Sequence, residues 1–496
     1  MIHTLLLAAS LSATPVPMPS SASAFLTFES GVLAGVNWVE RAGTRLHTRS
    51  VLNQSCVIDA TIELREDQSE SRSATVLAYS GSDPMAPVER TAGEGVIFWS
   101  DMSPSSIEQA VLRARALNRP SAILQATSLF RASHDEVRVT RVDSTDWVVT
   151  CHNKRYEVLT DAAGRMLSAT LPEYGVTIER REGFGPERYR LWPPDSAPPD
   201  SAYRAADVTI RAPEGHTLAG TFTTPRGRGP FPAAVLITGL SPNNRNEGQP
   251  PWMPLRDIAD ALTRRGIAVL RVDDRGVGSS TGDRATSTTF DEANDVATEV
   301  AWLRARSGID HRRIALVGYS EGGLIAPMVA ARDASIAAIV TLAGPGVPGP
   351  EVARYQIEAA VVRDSSIAAS DREAEIQKQL ADTLTVRERS YLSIEPLQYA
   401  KRIRCPALIV QGGSDLHVPL RSPERLAWAM RSGGNTDVTV RIVPGVSHSL
   451  LNDPLGLNSG WVYLPAFLTS PVILGTAGDW LAAHLGAKRG VAEATR

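Results

Sequence analysis

From residue 207 to residue 486 the chain repeats one pattern: an apolar run of about five residues, then an amphipathic stretch of helical length. Runs at 233–237, 267–272, 314–317, 336–342, 407–410 and 438–443 are too short for helices and too evenly apolar for strands with one wet face. Strands buried on both faces and separated by helices predict a mostly parallel sheet, an α/β architecture. Helices are expected over 255–265, 290–306, 322–331 and 478–485. Segments 208–211 and 218–223 flank Pro213, Glu214 and Gly215 and read as an antiparallel hairpin that opens the sheet. The alternation lapses over about 346–404, where 351–362 and 371–390 read as charged helices. A helical cap inserted there sits over the C-terminal edge of the sheet, the edge at which open α/β sheets bind ligands.

Upstream the character changes. Residues 191–206 include Trp192, Pro193, Pro194, Asp195, Pro198, Pro199 and Asp200, a composition that continues neither helix nor sheet and reads as a linker. Residues 25–190 read as a mainly β domain. Segments 147–150, 156–160, 166–171 and 176–179 are rich in β-branched and aromatic residues, and one helix is expected near 105–117. His134 and His152 stand alone in this half, and no constellation of reactive residues surrounds them.

Charge narrows the partners. Lys and Arg number 51 and Asp and Glu 54 in 496 residues, a net charge of −3. That balance argues against nucleic acid and against an anionic membrane surface. Leu5–Ala9 is too short to cross a bilayer, and no other stretch reads as transmembrane. With Ala22, Ser23 and Ala24 behind it, the run reads as a signal peptide over 1–24, although Lys and Arg are missing from its first residues. This implies a periplasmic or secreted protein. Export would permit a Cys56–Cys151 disulfide, which spacing alone does not decide, and Cys405 reads as a small buried hydrophobe.

The chemistry gathers at Gly318-Tyr319-Ser320-Glu321-Gly322-Gly323, directly after one strand run and at the head of a helix. A nucleophilic serine must stand on a sharp turn, and glycines two before and two after it allow that turn. A base and an orienting acid must follow. Asp415 ends the loop after run 407–410, and His448 lies on the loop after run 438–443, in the order Ser, Asp, His. His417 is too near Asp415 in sequence to bridge to a third group. His311 lies at the opposite end of the nucleophile strand, His216 in the opening hairpin, and Asp453 beyond the histidine. Two backbone N–H groups are expected to hold a developing oxyanion, those of Glu321 and of Leu240 on the loop after run 233–237. The glycines of Asp273–Gly282 do not open a helix, so this segment reads as a rigid loop and not as a nucleotide site.

Together these segments, with Gln411–Asp415, Gly445–His448 and Thr238–Glu247, resemble bacterial α/β-hydrolases of the serine-aminopeptidase and dienelactone-hydrolase-like branch, over roughly 205–490. The resemblance implies an α/β-hydrolase catalytic domain over 207–490 with a helical cap, behind a mainly β N-terminal domain. It implies no cofactor and no metal, with Ser320 as nucleophile, His448 as base and Asp415 as acid. Thr238 stands where that branch usually has His, and Leu240 where it often has Ser. The expected substrate is a small carboxylic ester or a short peptide, with ester first. A peptidase or amidase using the same triad, and a non-catalytic binding protein on the same scaffold, stay open, as does the oligomeric state.

Overall fold

The computed structural model describes residues 22–487 except 67, 81–82, 85–86, 102, 130–132, 186–188, 190, 383, 457–463 and 465–466. The signal segment expected over 1–24 lies outside the described residues up to 21, as do residues 488–490 at the expected end of the catalytic domain. The chain folds as two compact units, one running to Leu191 and the other beginning at Trp192.

Among the described residues, the first unit is built on one sheet of fourteen strands. Ser23–Glu29 lies within it, antiparallel to Val32–Ala42 on one side and Val176–Arg181 on the other. Ser23 and Ala24, placed before the expected cleavage point, are therefore strand residues, and Ala24 is buried. Two meanders run outward. One passes through Arg45–Leu52, Cys56–Leu64 and Ser71–Ser80. The other passes through Met166–Leu171, Lys154–Thr160, Asp146–Cys151, His134–Arg141 and Ser121–Ser128 to Val96–Trp99. That last pairing is parallel, and a parallel pair needs a crossover. Helix Pro104–Ala116 supplies it, burying Ile107, Ala110, Val111 and Ala114. The strands before residue 100 are hard to see in sequence because buried polar side chains interrupt their apolar pattern. Asn37 is hydrogen-bonded to Ser50, and Arg49 forks onto Asp59 at 2.7 and 2.9 Å.

No disulfide joins Cys56 and Cys151. Both thiols are free and buried, on strands separated in the sheet by six others. Cys151 instead opens a two-residue hairpin closed by Lys154, with φ +49° at His152 and +62° at Asn153, the left-handed pair such a turn demands. The turn directs His152 Nδ1 to Asp101 Oδ2 at 3.1 Å. Lys154 Nζ, Tyr156 Oη and Trp99 Nε1 also donate to that carboxylate, at 3.1, 3.0 and 3.0 Å. Tyr156 is fully buried, and Lys154 is 2% exposed. Asp101→Ala removes the acceptor that these four donors share. We expect it to destabilise the unit by about 3–5 kcal/mol, the usual cost of breaking a buried ion pair from one side, read from urea unfolding followed by tryptophan fluorescence.

The second unit opens with β1 (Tyr203–Arg211) and β2 (Thr217–Pro225), the expected hairpin. Strand β1 starts inside the stretch read as linker. There, Trp192 is buried with the Arg256 guanidinium 4.4 Å from its ring. Then follow β3 (Phe231–Ile237), β4 (Ala268–Val272), β5 (Ile309–Tyr319), β6 (Ala338–Leu342), β7 (Ala407–Gly412) and β8 (Val438–Val443). The sheet order is β1-β2-β4-β3-β5-β6-β7-β8, parallel from β4 onward, so the loops after β3, β5, β7 and β8 share one rim.

Each central strand feeds two cores. Ala233, Val235 and Ile237 face one, and Ala234 and Leu236 face the other. Helices α1 (Pro254–Arg264), α2 (Thr289–Arg304) and α3 (Gly322–Ala330) cover the sheet between strands: Ile258 and Leu262 of α1 on one face, Val300 of α2 and Met328 of α3 on the other. The cap insertion holds α4 (Gly349–Arg363), α5 (Arg372–Leu380), α6 (Val386–Ser393) and α7 (Pro396–Ala400). The single helix expected over 371–390 is thus two, because Thr385 and Glu388 form a capping box that starts a new helix. After β7 comes α8 (Ser422–Ser432), and α9 (Pro471–His484) begins seven residues before the expected 478–485. Among the described residues no helix is long and apolar enough to cross a membrane.

Candidate active site

Between β5 and α3 the chain turns through Ser320 at φ +52°, a left-handed conformation that L-residues with a side chain rarely adopt. The glycines around it have no room for anything larger. A Cβ on Gly318 would lie 1.9 Å from the Gly322 carbonyl oxygen, and one on Gly322 would lie 2.4 Å from that of Ile237. Ser320 itself is half-buried, and its N–H donates to the Leu342 carbonyl at 2.9 Å.

The structure brings together the three side chains singled out from the sequence. His448 Nε2 lies 3.1 Å from Ser320 Oγ, and His448 Nδ1 lies 3.0 Å from Asp415 Oδ2. Asp415 is 1% exposed and also accepts from Gln411 Nε2 and from the N–H groups of His417 and Val418. Burial pushes its pKa up, but the His448 charge and hydrogen bond with these N–H groups outweigh burial and hold the carboxyl below its ordinary value. His417 does not bridge to another group, yet it belongs to the site. Its ring stacks on that of His448 with centroids 4.7 Å apart, and burial followed by the His448 charge lowers its pKa to about 4. Tyr319 contacts the His448 ring too, at 5.3 Å. From the cap, Tyr355 donates to the Asp415 carbonyl at 2.8 Å.

Beside Ser320 runs the loop after β3. A Cβ on Gly239 would lie 3.5 Å from Ser320 Cβ. The Gly239 N–H donates to Glu247 Oε2 at 2.8 Å, whereas among the described residues the N–H groups of Leu240 and Glu321 have no protein acceptor. Thr238, which departs from the histidine usual in the resembled branch, donates through Oγ1 to Asp274, which also accepts the Asn243 N–H. Side-chain support for this loop therefore exists, from a different residue pair. The Asp273–Gly282 segment wraps Asp273, which Arg245 grips at 3.0 and 2.8 Å through Nε and Nη2. That makes it an anchor for the neighbouring loop.

Among the described residues two groupings carry metal-ligand chemistry, Asp101 with Cys151 and His152, and Glu214 with His216 and Asp295. Each buried carboxylate already holds a cation. Lys154 shares Asp101, and Arg275 forks onto both oxygens of Asp295 at 2.8 and 2.9 Å.

Sequence patterns gave no sign of Tyr355, of Arg284, which donates to the Leu240 carbonyl, or of Arg387, which donates to the Glu321 carboxylate, because each reaches its partner across the fold and belongs to no motif. Asp274 is another buried member. Desolvation first and the Glu292 charge second push its pKa up to about 8. A carboxyl raised in the folded state favours the fold below its ordinary value of 3.8 and loses that contribution as pH climbs to about 8. We therefore expect the melting temperature of Asp274→Asn, relative to wild type, to rise steadily between pH 5 and pH 8.5 in thermal scans.

Residues 254–455 match the family model described as serine aminopeptidase, S33. The chain is 27% identical over 271 residues to Esterase EstD of Thermotoga maritima, an alignment covering 52% of this chain and 63% of that protein. It is 28% identical to an uncharacterized protein of Mycobacterium tuberculosis, covering 58% of this chain and 89% of the other. A solved Pyrococcus furiosus esterase superposes with a TM-score of 0.44 at 18% identity, covering 60% of this chain and 94% of that one. The C-terminal unit has the α/β-hydrolase fold with a helical cap, and its residues 254–455 are similar to the family described as serine aminopeptidase, S33.

Proposed function

We propose that the C-terminal unit is a serine hydrolase that cleaves carboxylic esters through an acyl-enzyme. The observation that carries this reading is the pair of hydrogen bonds at 3.1 and 3.0 Å that join Ser320, His448 and Asp415. His448 takes the Ser320 proton as the oxygen attacks the carbonyl carbon. Asp415, kept ionised, orients the imidazole and stabilises its cation. The N–H groups of Glu321 and Leu240 hold the oxyanion. The protonated imidazole gives its proton to the leaving alcohol. Water, deprotonated in turn by His448, then releases the acid and restores Ser320.

Ester is placed first because the Thermotoga relative is named an esterase. Amide cleavage is the second reading, favoured by the aminopeptidase description of the matching family. The triad serves both, so the pocket decides. Ser320→Ala is expected to reduce kcat by about 10⁶-fold, the scale seen for a triad nucleophile, and to abolish labelling by a fluorophosphonate. Wild-type protein that takes no label would make the unit a binding protein on a hydrolase scaffold. Kinetics on nitrophenyl esters and aminoacyl amides assign the substrate class, and faster amide turnover would put amides ahead of esters.

Export is part of this reading. Because the first strand starts at Ser23, we place cleavage after Ala22, where Ser20-Ser21-Ala22 offers a small-x-small site that leaves the strand whole. N-terminal sequencing of exported protein should begin at Ser23, and a cytoplasmic, uncleaved chain would refute it.

A further inference from the structure

A largely buried chain of ion pairs and hydrogen bonds has as its two ends the residues assigned as oxyanion donors. One end is Glu321, whose carboxylate is fully buried. Its Oε1 accepts from Thr289 Oγ1 at 2.6 Å, and its Oε2 accepts both Nε and Nη2 of Arg387, at 3.0 and 2.7 Å. Arg387 comes from the first turn of cap helix α6 and is 5% exposed. Its remaining nitrogen, Nη1, donates to Glu292 Oε1 of α2. That same oxygen accepts Arg284 Nη1 at 3.0 Å, and Arg284 Nη2 donates to the Leu240 carbonyl at 2.7 Å. The path is continuous: Glu321, Arg387, Glu292, Arg284, Leu240.

We propose that Arg387, Glu292 and Arg284 are positioning residues that set the spacing of the two oxyanion donors, and that the docked cap completes this framework. The inference rests on the serine-hydrolase reading above. A backbone N–H has no freedom apart from its peptide unit, so its alignment must come from what grips the residue that carries it. Here one grip is on the side chain of the residue after the nucleophile, and the other is on the carbonyl of Leu240. Charge-assisted and forked bonds are short and directional, which suits them to this task. A well-packed apolar cluster can stabilise a fold as well as a buried ion network does, so the network is better explained by the geometry it imposes. Burial lowers the Arg387 pKa, but the charges of Glu321 and Glu292 more than reverse this, so the guanidinium stays charged. A second tie from the same helix, Ser390 Oγ accepting the Thr289 N–H at 3.2 Å, holds α6 against the start of α2.

The test compares Arg387→Met, Arg387→Lys, Arg284→Met and wild type on a nitrophenyl ester. Active sites are counted by fluorophosphonate titration, so that misfolded protein drops out of kcat. Arg387→Met and Arg284→Met should each lower kcat per titrated site by about 10²-fold, the scale of one lost oxyanion donor, with KM changed less than about threefold. The inhibition constant of a trifluoromethyl ketone, whose adduct carries the oxyanion, should weaken in proportion. Arg387→Lys should recover part of the loss. A merely structural role would lower the titratable fraction and leave kcat per site and ketone binding within about twofold of wild type, and that result overturns the proposal. Should Arg387→Met fail to fold, Arg284→Met, outside the cap, decides by the same criterion. Wild-type protein that takes no label sinks the hydrolase reading itself, an outcome distinct from labelled variants that turn over normally.

Discussion

The reversal of the chain at Ser320 constrains everything around it. A residue with a side chain is held at φ +52°, a conformation costing of order 1–3 kcal/mol. It persists because its surroundings leave no alternative. The Ser320 N–H is tied to Leu342 on β6, and α3 begins so close to β3 and β5 that glycine alone fits at 318 and 322. Strand β5 and helix α3 are almost wholly apolar where they meet; α3 and one face of β5 lie in one core, and the other face of β5 lies in the second. Hydrophobic burial on both faces thus stabilises a turn that local preference opposes, and the turn lifts one hydroxyl to the rim where the loops after β7 and β8 end.

That logic explains what was legible in the sequence. Parallel strands buried on both faces appear as uninterrupted apolar runs, and the loops that follow them share one edge by topology. Placing Asp415 and His448 therefore needed only the order of strands and the step from each run to its loop. What stayed hidden is of another kind. Arg387 meets Glu321 across 66 positions, and Arg284 meets Leu240 across 44. Such contacts have no period, and in the sequence each arginine resembles any charged residue of a loop or a polar helix. His417 cannot bridge from its position, which hides it from a search for triads, yet stacking needs no bridge. The helices of the cap are visible in the sequence, but the capping box at Thr385 that divides them is not, because two adjacent helical patterns read as one.

The N-terminal unit was legible only as a class. Its later strands stand out because aromatic and β-branched residues dominate them, whereas the earlier ones carry buried pairs such as Arg49 with Asp59. Polar residues can stand on the inner side of a sheet when each meets a partner there. The pattern then reads as broken although the strand is continuous. Asp101 is the same principle in concentrated form. One carboxylate, its pKa held down by His152 and Lys154 against the pull of burial, accepts from residues on two strands and a hairpin turn. The fold there is specified by polar satisfaction as much as by apolar period.

Glu247 shows how a buried acid can decide chemistry without touching a substrate. Desolvation raises its pKa well above the ordinary value, and the nearby charges of Asp274 and Glu321 add to the rise. Neutral or charged, its Oε2 accepts the Gly239 N–H. In the proposed mechanism that bond removes one of the two adjacent donors on the loop after β3 and leaves Leu240 as the uncommitted one. The choice of donor is thus made by a side chain further along the same loop, held in place by the fold. The carbonyl of the same Leu240 is gripped by Arg284. A residue with its N–H left open and its carbonyl fixed is oriented before any substrate arrives, and preorganisation of this kind is what makes an oxyanion donor effective.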